Sequence, residues 1–197
     1  MNIRQALESQ LGAADFIRLN DVEVDPVAIR AIIINEVVPV DPAQDFYGER
    51  DGEYLSTTIP LFQKAGLAVA GVDDILRMGV YITNAVKTPK TEYAIEKAQI
   101  EENLPWLEKE IALFPNLQVI MCMGDVAKKA VNMIVKKKTR KNVIPSGATY
   151  KLRKTPFYWD GIRVMPSYIM TGGNILIEKS KVTMAAEDIA AMMQMIR

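Results

Sequence analysis

The chain has 197 residues, of which 49% are hydrophobic and 24% are charged, and its formal net charge is zero. These values are typical of one soluble domain whose core needs no disulfide or metal for stability. The sequence contains one cysteine and no histidine, which excludes an internal disulfide, a multi-cysteine metal site and any catalytic scheme that uses histidine. We expect a single domain over residues 1–197, with Cys122 packed in its core.

Neither an export signal nor a membrane span is predicted. The N-terminal stretch MNIRQALESQLG is polar where a signal peptide needs an apolar core. No apolar run approaches the roughly 20 residues that a membrane-spanning helix requires. We therefore expect a cytoplasmic protein that does not bind a membrane.

In the first half of the chain, predicted helices and strands alternate. Apolar spacing predicts a helical region over residues 3–18, and a β-branched run predicts a strand over residues 31–34 that is buried on both faces. A Pro- and Asp-rich loop then continues through Gly52, and its length is typical of functional loops. A helix over residues 54–65 and a strand over residues 79–83 follow, so that Asn84 comes directly after a strand.

The alternation continues in the second half of the chain. The predicted elements are a long helix over residues 91–114 interrupted near Pro105, a strand over 117–123, a helix opened by Gly124 and Asp125, a strand over 162–165 and an amphipathic helix over 183–196. This order predicts a three-layer α/β/α fold around a central four-stranded parallel sheet. Such sheets place their sites in the loops beyond the carboxyl ends of the strands.

Charge is unevenly distributed along the chain. Residues 1–60 contain eleven acidic residues and four arginines, whereas residues 128–154 contain ten lysines or arginines and no acidic residue. A dense basic stretch favours contact with phosphates, although a solvated helix end is the alternative interpretation. The residues assigned to nucleic-acid binding are Lys87, Lys136, Lys137, Lys138, Arg140 and Lys141.

Val80-Tyr81-Ile82-Thr83-Asn84-Ala85-Val86-Lys87 closely resembles the base-reading motif of the uracil-DNA glycosylase superfamily, above all in its thermophile-type bacterial and archaeal branch. Four further segments resemble motifs of that branch in the same order, namely residues 34–39, 103–107, 120–127 and 164–168. The resemblance covers roughly residues 30–196. It implies a role in DNA repair, with single- or double-stranded DNA, or a free nucleobase or nucleotide, as the partner.

Asn84 is the base-reading residue that the resemblance implies. A side-chain amide both donates and accepts hydrogen bonds, as the edge of a pyrimidine requires, and one fixed orientation favours uracil over cytosine. The alternative is an asparagine that only stabilises a turn at the end of a strand.

Hydrolysis of a glycosidic bond passes through a cationic sugar, so a carboxylate should hold the attacking water and stabilise that charge. Glu36 is the first candidate and Asp41 the second, although Glu36 could be simply solvated and Asp41 could make a turn. A base taken out of the helix also needs an aromatic face to stack on. The candidates are Phe46, Tyr47 and Tyr54.

The sequence departs from the superfamily at two places. Ile169 stands where the last motif usually has a histidine, a loss that can reduce the rate on the order of 100- to 1,000-fold. Close to Ile169 in the sequence, Ser167 and Thr171 carry hydroxyl groups and are assigned to substrate binding. Thr88 and Asn103 occupy two positions where the branch has iron–sulfur cysteines, so we expect no cluster, no metal and no cofactor.

Three functions follow from these observations. The first is a hydrolase of the N-glycosidic bond of uracil or another altered base in DNA. The second is a catalytically silent module of the same fold that binds nucleic acid or a nucleobase, which the missing histidine favours. A phosphate-handling enzyme is disfavoured because neither Gly-x-x-x-x-Gly-Lys nor Gly-x-Gly-x-x-Gly is present.

Overall fold

A computed structural model of the protein describes residues 1–90 and 92–196. Within them the helices are α1 Ile3–Leu11, α2 Glu53–Lys64, α3 Val72–Arg77, α4 Lys97–Ile111, α5 Asp125–Thr139, α6 Thr149–Leu152 and α7 Lys179–Met195. The strands are β1 Ala31–Val37, β2 Val80–Val86, β3 Val119–Met123, β4 Phe157–Trp159 and β5 Ile162–Ser167. Short 3₁₀ turns cover Pro42–Gln44 and Gly173–Leu176.

The strands form one sheet in the order β2-β1-β3-β5-β4. The first four are parallel to one another, and β4 runs antiparallel to β5. The prediction of a parallel sheet is confirmed, but the sheet has five strands where four were predicted. The additional strand arises from a hairpin in which Asp160 and Gly161 both have positive φ, the backbone that a two-residue Asp-Gly turn adopts.

Helices cover both faces of the sheet, as the predicted three-layer fold requires. The first face packs against α1, α4 and α5, and its core includes Ile32, Ile34 and Tyr81. The second face packs against α2, α3 and α7, and its core includes Ile33 and Ile82. Because neighbouring residues of a strand point to opposite faces, the strand register decides which polar side chains can meet at the end of the sheet.

Several element boundaries differ from the predictions. Helix α1 ends at Leu11, and α4 begins at Lys97 and continues through Pro105. Pro105 removes only one backbone hydrogen bond of the helix, the one to the carbonyl of Glu101, and Glu101 lies on an exposed turn. Thr91, the first residue of the predicted long helix, lies outside the described residues. No helix in the described ranges is long and apolar enough to cross a membrane.

Strand β2 is the edge of the sheet, and the N-terminal segment lies along it. Asn20 Nδ2 donates to the carbonyl of Ile82, and the Ile82 N–H donates to the hydroxyl of Tyr47. The backbone N–H of Arg18 donates to the carbonyl of Lys87. Residues that precede β1 therefore help to hold the strand that carries the base-reading motif.

Cys122 packs in the core of β3, as predicted. Burial raises the pKa of its thiol to about 12, so the sulfur stays protonated and unreactive at neutral pH.

Candidate functional site

Asn84 lies inside β2, two residues before the strand ends, and not in the loop that was predicted. It pairs in register with Asn35 of the neighbouring strand β1. Its side chain is only 1% exposed. Two buried amides therefore stand side by side near the carboxyl end of the sheet, on the face that packs against α2 and α7.

The two amides belong to a continuous chain of hydrogen bonds, which we call the amide chain. Thr171 Oγ1 donates to Asn35 Oδ1 (3.1 Å), and Asn35 Nδ2 donates to Asn84 Oδ1 (2.9 Å). Asn84 Nδ2 then donates to both carboxylate oxygens of Asp45, at 3.0 and 3.1 Å. Because the ionised carboxylate can only accept, it fixes the orientation of both amides.

Asp45 connects the buried amide chain to an open cleft. The backbone N–H of Phe46 donates to Asp45 Oδ1 (2.8 Å). Burial raises the pKa of the Asp45 carboxyl above its ordinary value, while the hydrogen bonds from Phe46 and Asn84 oppose that rise. Asp45 also lines a cleft of about 630 Å³ between the N-terminal residues 4–21 and the loop at 38–49.

Only one of the three candidate stacking residues lines that cleft. Phe46 is completely buried and packs on Tyr54, with ring centroids 5.2 Å apart, and the hydroxyl of Tyr54 donates to the carbonyl of Val37 (2.7 Å). Phe46 and Tyr54 are thus core residues, which corrects their prediction as stacking faces. Tyr47 stacks on Tyr81 at 5.8 Å and lines the cleft.

Glu36 points to the other face of the sheet from Asn84, because it follows Asn35 directly in the strand. Its Oε2 accepts the N–H of Val126 (2.9 Å) in the first turn of α5, where Gly124 supplies no side-chain cap. Burial raises the pKa of the Glu36 carboxyl, and the bond from Val126 opposes the rise. The observed role of Glu36 is to cap a helix.

Asp41, the second candidate for holding water, is exposed in the structure. Its Oδ1 accepts the N–H of Ala43 (3.0 Å) and caps the short turn Pro42–Gln44. This is the turn-making role that was the alternative interpretation of this residue.

Ser167 lies at the end of β5 and is completely buried. Its hydroxyl donates to Asp188 Oδ2 of α7 (2.6 Å), and Arg153 forms an ion pair with Asp188 at 3.2 Å. Burial raises the pKa of the Asp188 carboxyl in spite of these bonds. Ser167 therefore joins β5 to α7, while Thr171, the other predicted hydroxyl, lies in the amide chain.

Lys87 is buried, which corrects its prediction as a nucleic-acid contact. Its ammonium forms an ion pair with Glu110 Oε2 (2.5 Å) and donates to Thr83 Oγ1 and to the carbonyl of Asn84, both at 3.0 Å. Glu110 Oε1 also accepts from Tyr81 (2.6 Å) and Thr83 (2.8 Å). We call this group the Lys87–Glu110 cluster, and it holds the backbone of Asn84 from the α4 side.

The other predicted basic residues lie at the opposite end of the sheet from Asn84. Helix α5 starts where β3 ends and packs back along the sheet, so residue 136 lies about 18 Å from its first turn. Lys138 lies 5.4 Å from the ring of Trp159 and pairs with Glu108, both near the edge where β5 begins. We call Lys136, Lys137, Lys138, Arg140 and Lys141 the lysine end of α5.

The networks also contain residues that were not predicted as site residues, among them Asn35, Asp45 and Glu110. Asn35 carried a signal, because an amide within a run of buried β-branched residues needs a partner. Asp45 resembled the other aspartates of its loop, and Glu110 resembled the other charged residues of an amphipathic helix. Both pairings are long-range contacts, and no local pattern indicates them.

A sequence model of the uracil DNA glycosylase superfamily matches residues 40–174, which is more than half of the chain. The chain belongs to the uracil DNA glycosylase superfamily. Comparison with curated proteins gives no match. The matched residues include Asp45, Asn84 and Thr171, whereas Asn35, Glu36 and the N-terminal wall of the cleft precede them.

One of the two departures from the superfamily acquires a structural explanation. Asn103 Nδ2 donates to Thr88 Oγ1 (3.3 Å), and Asn103 Oδ1 accepts the N–H of Lys87 (2.7 Å). The two positions that match cluster cysteines in the thermophile-type branch thus hold a hydrogen-bonded pair without a thiolate, and these residues do not fit an iron–sulfur cluster. Ile169 has an apolar side chain that cannot donate to an oxyanion.

Proposed function

We propose that this protein recognises a nucleobase, in nucleic acid or free, at the Asn84 end of its sheet, and that it does so as a binding module without rapid glycosidic hydrolysis. The amide chain carries the proposal, because an amide of fixed orientation has the chemistry of base reading, and Asp45, which binds this amide, lines an open cleft. Membership of the uracil DNA glycosylase superfamily supports a base as the ligand.

The positions of the carboxylates favour binding over hydrolysis. Glu36 lies on the other face of the sheet and caps α5, and Asp41 caps a turn. Asp45 contacts Asn84, so it would face the reading edge of a bound base, far from the glycosidic nitrogen where water must attack. Ile169 removes a donor that would stabilise the departing base.

The experiment uses single- and double-stranded DNA that contains uracil or another altered base, together with the free nucleosides. We expect binding to be lost in Asn84→Ala. Asn116→Ala is the matched control, because it removes the side-chain amide of an exposed asparagine, and it should keep binding. At enzyme excess, no alkali-sensitive sites should form. Equal binding by the unmodified protein and Asn84→Ala would contradict the proposal.

Hydrolysis of the N-glycosidic bond is the second candidate, favoured by one observation. Glu36 Oε2 is anchored by Val126, and no hydrogen bond from the described residues reaches Glu36 Oε1. A fixed carboxylate with one open oxygen can hold a water molecule. This candidate predicts that the unmodified protein creates alkali-sensitive sites in the DNA and that Glu36→Gln and Asn84→Ala do not. If the unmodified protein creates no such sites, this candidate is eliminated.

A further inference from the structure

An open groove of about 650 Å³ lies between helices α4 and α5. Leu104 of α4 and Met133 of α5 line its inner part, since Leu104 is buried and Met133 is half-buried. Its rim carries four exposed lysines, namely Lys97, Lys129, Lys136 and Lys137. The groove therefore combines an apolar floor with a positively charged rim.

Three of these lysines follow one side of α5. Lys136 and Lys137 come seven and eight residues after Lys129, a spacing that places all three on the same side of the helix. Lys129 and Lys136 are about 10 Å apart along the helix axis. Lys129 lies close to the start of α5, where β3 ends, so the groove runs from the Asn84 end of the sheet toward the lysine end of α5.

The charge of the rim is largely uncompensated. Glu101 is the one acidic residue that lines the groove, and it pairs with Lys97 at 3.4 Å. Within the described ranges, Lys129, Lys136 and Lys137 form no ion pair, whereas the neighbouring Lys128 and Lys138 each have one. Lysines that share a groove without a counter-charge attract a ligand with several negative charges.

We propose that the groove between α4 and α5 binds one strand of single-stranded nucleic acid, with its phosphates on Lys129, Lys136 and Lys137 and its bases on the apolar floor. Inorganic polyphosphate has the charge for the rim but no apolar group for Leu104 and Met133. The inference goes beyond base recognition at the Asn84 end, because none of these lysines contacts Asn84.

The width of the groove favours a single strand over a duplex. The axes of two packed helices are about 8–10 Å apart, whereas the major groove of a duplex alone is about 12 Å wide. A duplex would therefore contact the rim and leave the floor empty. The exposed bases of a single strand can reach the floor, so strand and groove match in both charge and apolar surface.

The first test measures the binding of a labelled oligothymidine of about 12 nucleotides to the full chain by fluorescence anisotropy at several salt concentrations. The triple variant Lys129→Gln, Lys136→Gln and Lys137→Gln removes the proposed phosphate contacts. Each lost contact on a single strand lowers the slope of log affinity against log salt by about 0.7, so we expect a reduction of about 2. Affinity at about 0.1 M salt should fall at least about tenfold.

The matched control changes net charge by the same amount outside the groove. It replaces the exposed lysines Lys64, Lys109 and Lys179 with Gln, and it should keep most of the salt dependence. Nucleosides carry no phosphate and test the Asn84 end alone. Failure of base recognition and failure of this inference are therefore separate results.

The second test closes the groove while all its lysines stay in place. Met133→Glu puts a carboxylate on the floor and should weaken binding of the strand at least about tenfold through repulsion of the phosphates. Met195→Glu adds the same charge at an exposed position of α7 and should bind like the unmodified protein. Thermal unfolding verifies that each variant is folded.

Four results would overturn the inference. They are no binding of the strand by the unmodified protein, equal losses in the two triple variants, full binding by a folded Met133→Glu, and tighter binding of a duplex of the same length. Inorganic polyphosphate of equal charge should compete weakly. Competition as strong as that of the unlabelled strand would show a site for phosphate charge alone and would also overturn it.

Discussion

Lys87 shows how strongly a single buried charge depends on its partner. Its ammonium and the Glu110 carboxylate are both inside the protein, and each is bonded to further polar groups. Lys87→Met removes one partner and leaves Glu110 buried without its counter-charge. We expect the free energy of unfolding in urea to fall by about 3–5 kcal/mol.

Two comparisons isolate the effect of the buried pair. Lys97→Met removes an exposed pair with Glu101 on the same helix as Glu110, and it should change stability by less than about 0.5 kcal/mol. Lys87→Met combined with Glu110→Gln should regain part of the loss, because no uncompensated charge remains. A similar small effect for Lys87→Met and Lys97→Met would show that the cluster does not stabilise the fold.

Asp45 should make stability depend on pH in a defined direction. Burial raises its folded-state pKa above the unfolded-state value, so the folded protein binds this proton more tightly. The protonated carboxyl therefore contributes stability below pH of about 4, and the contribution is lost as the pH rises through the raised pKa. The amide in Asp45→Asn does not titrate.

We therefore compare the unfolding free energies of the unmodified protein and of Asp45→Asn. The value for the unmodified protein minus that for the variant should decrease as the pH rises from about 4 to about 7. Urea titrations of both proteins at several pH values measure this difference. Glu36 and Asp188 also have raised pKa values, but they occur in both proteins and cancel. A difference that increases with pH would contradict the assignment.

The sequence indicates the role of a residue where the chemistry is local. The core position of Cys122 was predicted, and the turn role of Asp41 was the alternative to its assignment as a water-holding residue. The burial of Lys87 could not, because its partner Glu110 is 23 residues away on another element. Asn84 was singled out by its motif, while Asp45, the carboxylate that binds it, could not be told apart from the other aspartates of its loop.

At the scale of elements, the start of α5 depends on a glycine. Gly124 has φ of 104°, and an added Cβ would lie 2.7 Å from Glu36 Oε1. Gly124→Ala must therefore strain the backbone and displace the carboxylate that caps the helix. We expect a loss of stability of about 1–3 kcal/mol in chemical unfolding.

Gly71→Ala is a suitable control, since Gly71 also caps a helix but has φ of −161° and open space around it. This second substitution should change stability by less than about 1 kcal/mol. If both substitutions have equally small effects, the contact between Glu36 and α5 is not what constrains position 124.

The elements themselves followed the apolar pattern of the sequence closely. β-branched runs predicted the buried strands, and periodic apolar residues predicted α2 and α7 to within a few residues. Gly124 and Asp125 predicted the start of α5. Strand β4 was missed although Asp160-Gly161 between two apolar runs is a hairpin signal. The short helices α3 and α6 were also missed, because four to six residues give too little periodicity to recognise.

For the whole molecule, the proposed site of base recognition and the predicted site of phosphate contact lie at opposite ends of the sheet. Converting Lys136, Lys137 and Lys138 to Gln should weaken binding to single-stranded DNA and reduce its dependence on salt, because fewer counterions are released. Nucleoside binding at Asn84 should not change, since residue 136 lies about 18 Å along α5 from the first turn, at the end of the sheet opposite Asn84.

The control replaces the exposed lysines Lys64, Lys109 and Lys179 with Gln, which changes net charge by the same amount elsewhere. Fluorescence anisotropy at several salt concentrations compares the two triple variants. If both variants lose affinity equally, net charge and not the lysine end of α5 determines binding to DNA.

The contacts along β2 also bear on how the protein behaves at high concentration. An outer strand with free backbone groups can pair with the same strand of another molecule and seed aggregation. Asn20 and Tyr47 occupy backbone groups of Ile82 with side chains, which offer an incoming strand no continuous ladder. Asn20, which precedes the superfamily match, and Tyr47, which lies within it, thus both block pairing at this point of the motif strand, and we expect Asn20→Ala to make the edge more accessible to a second molecule.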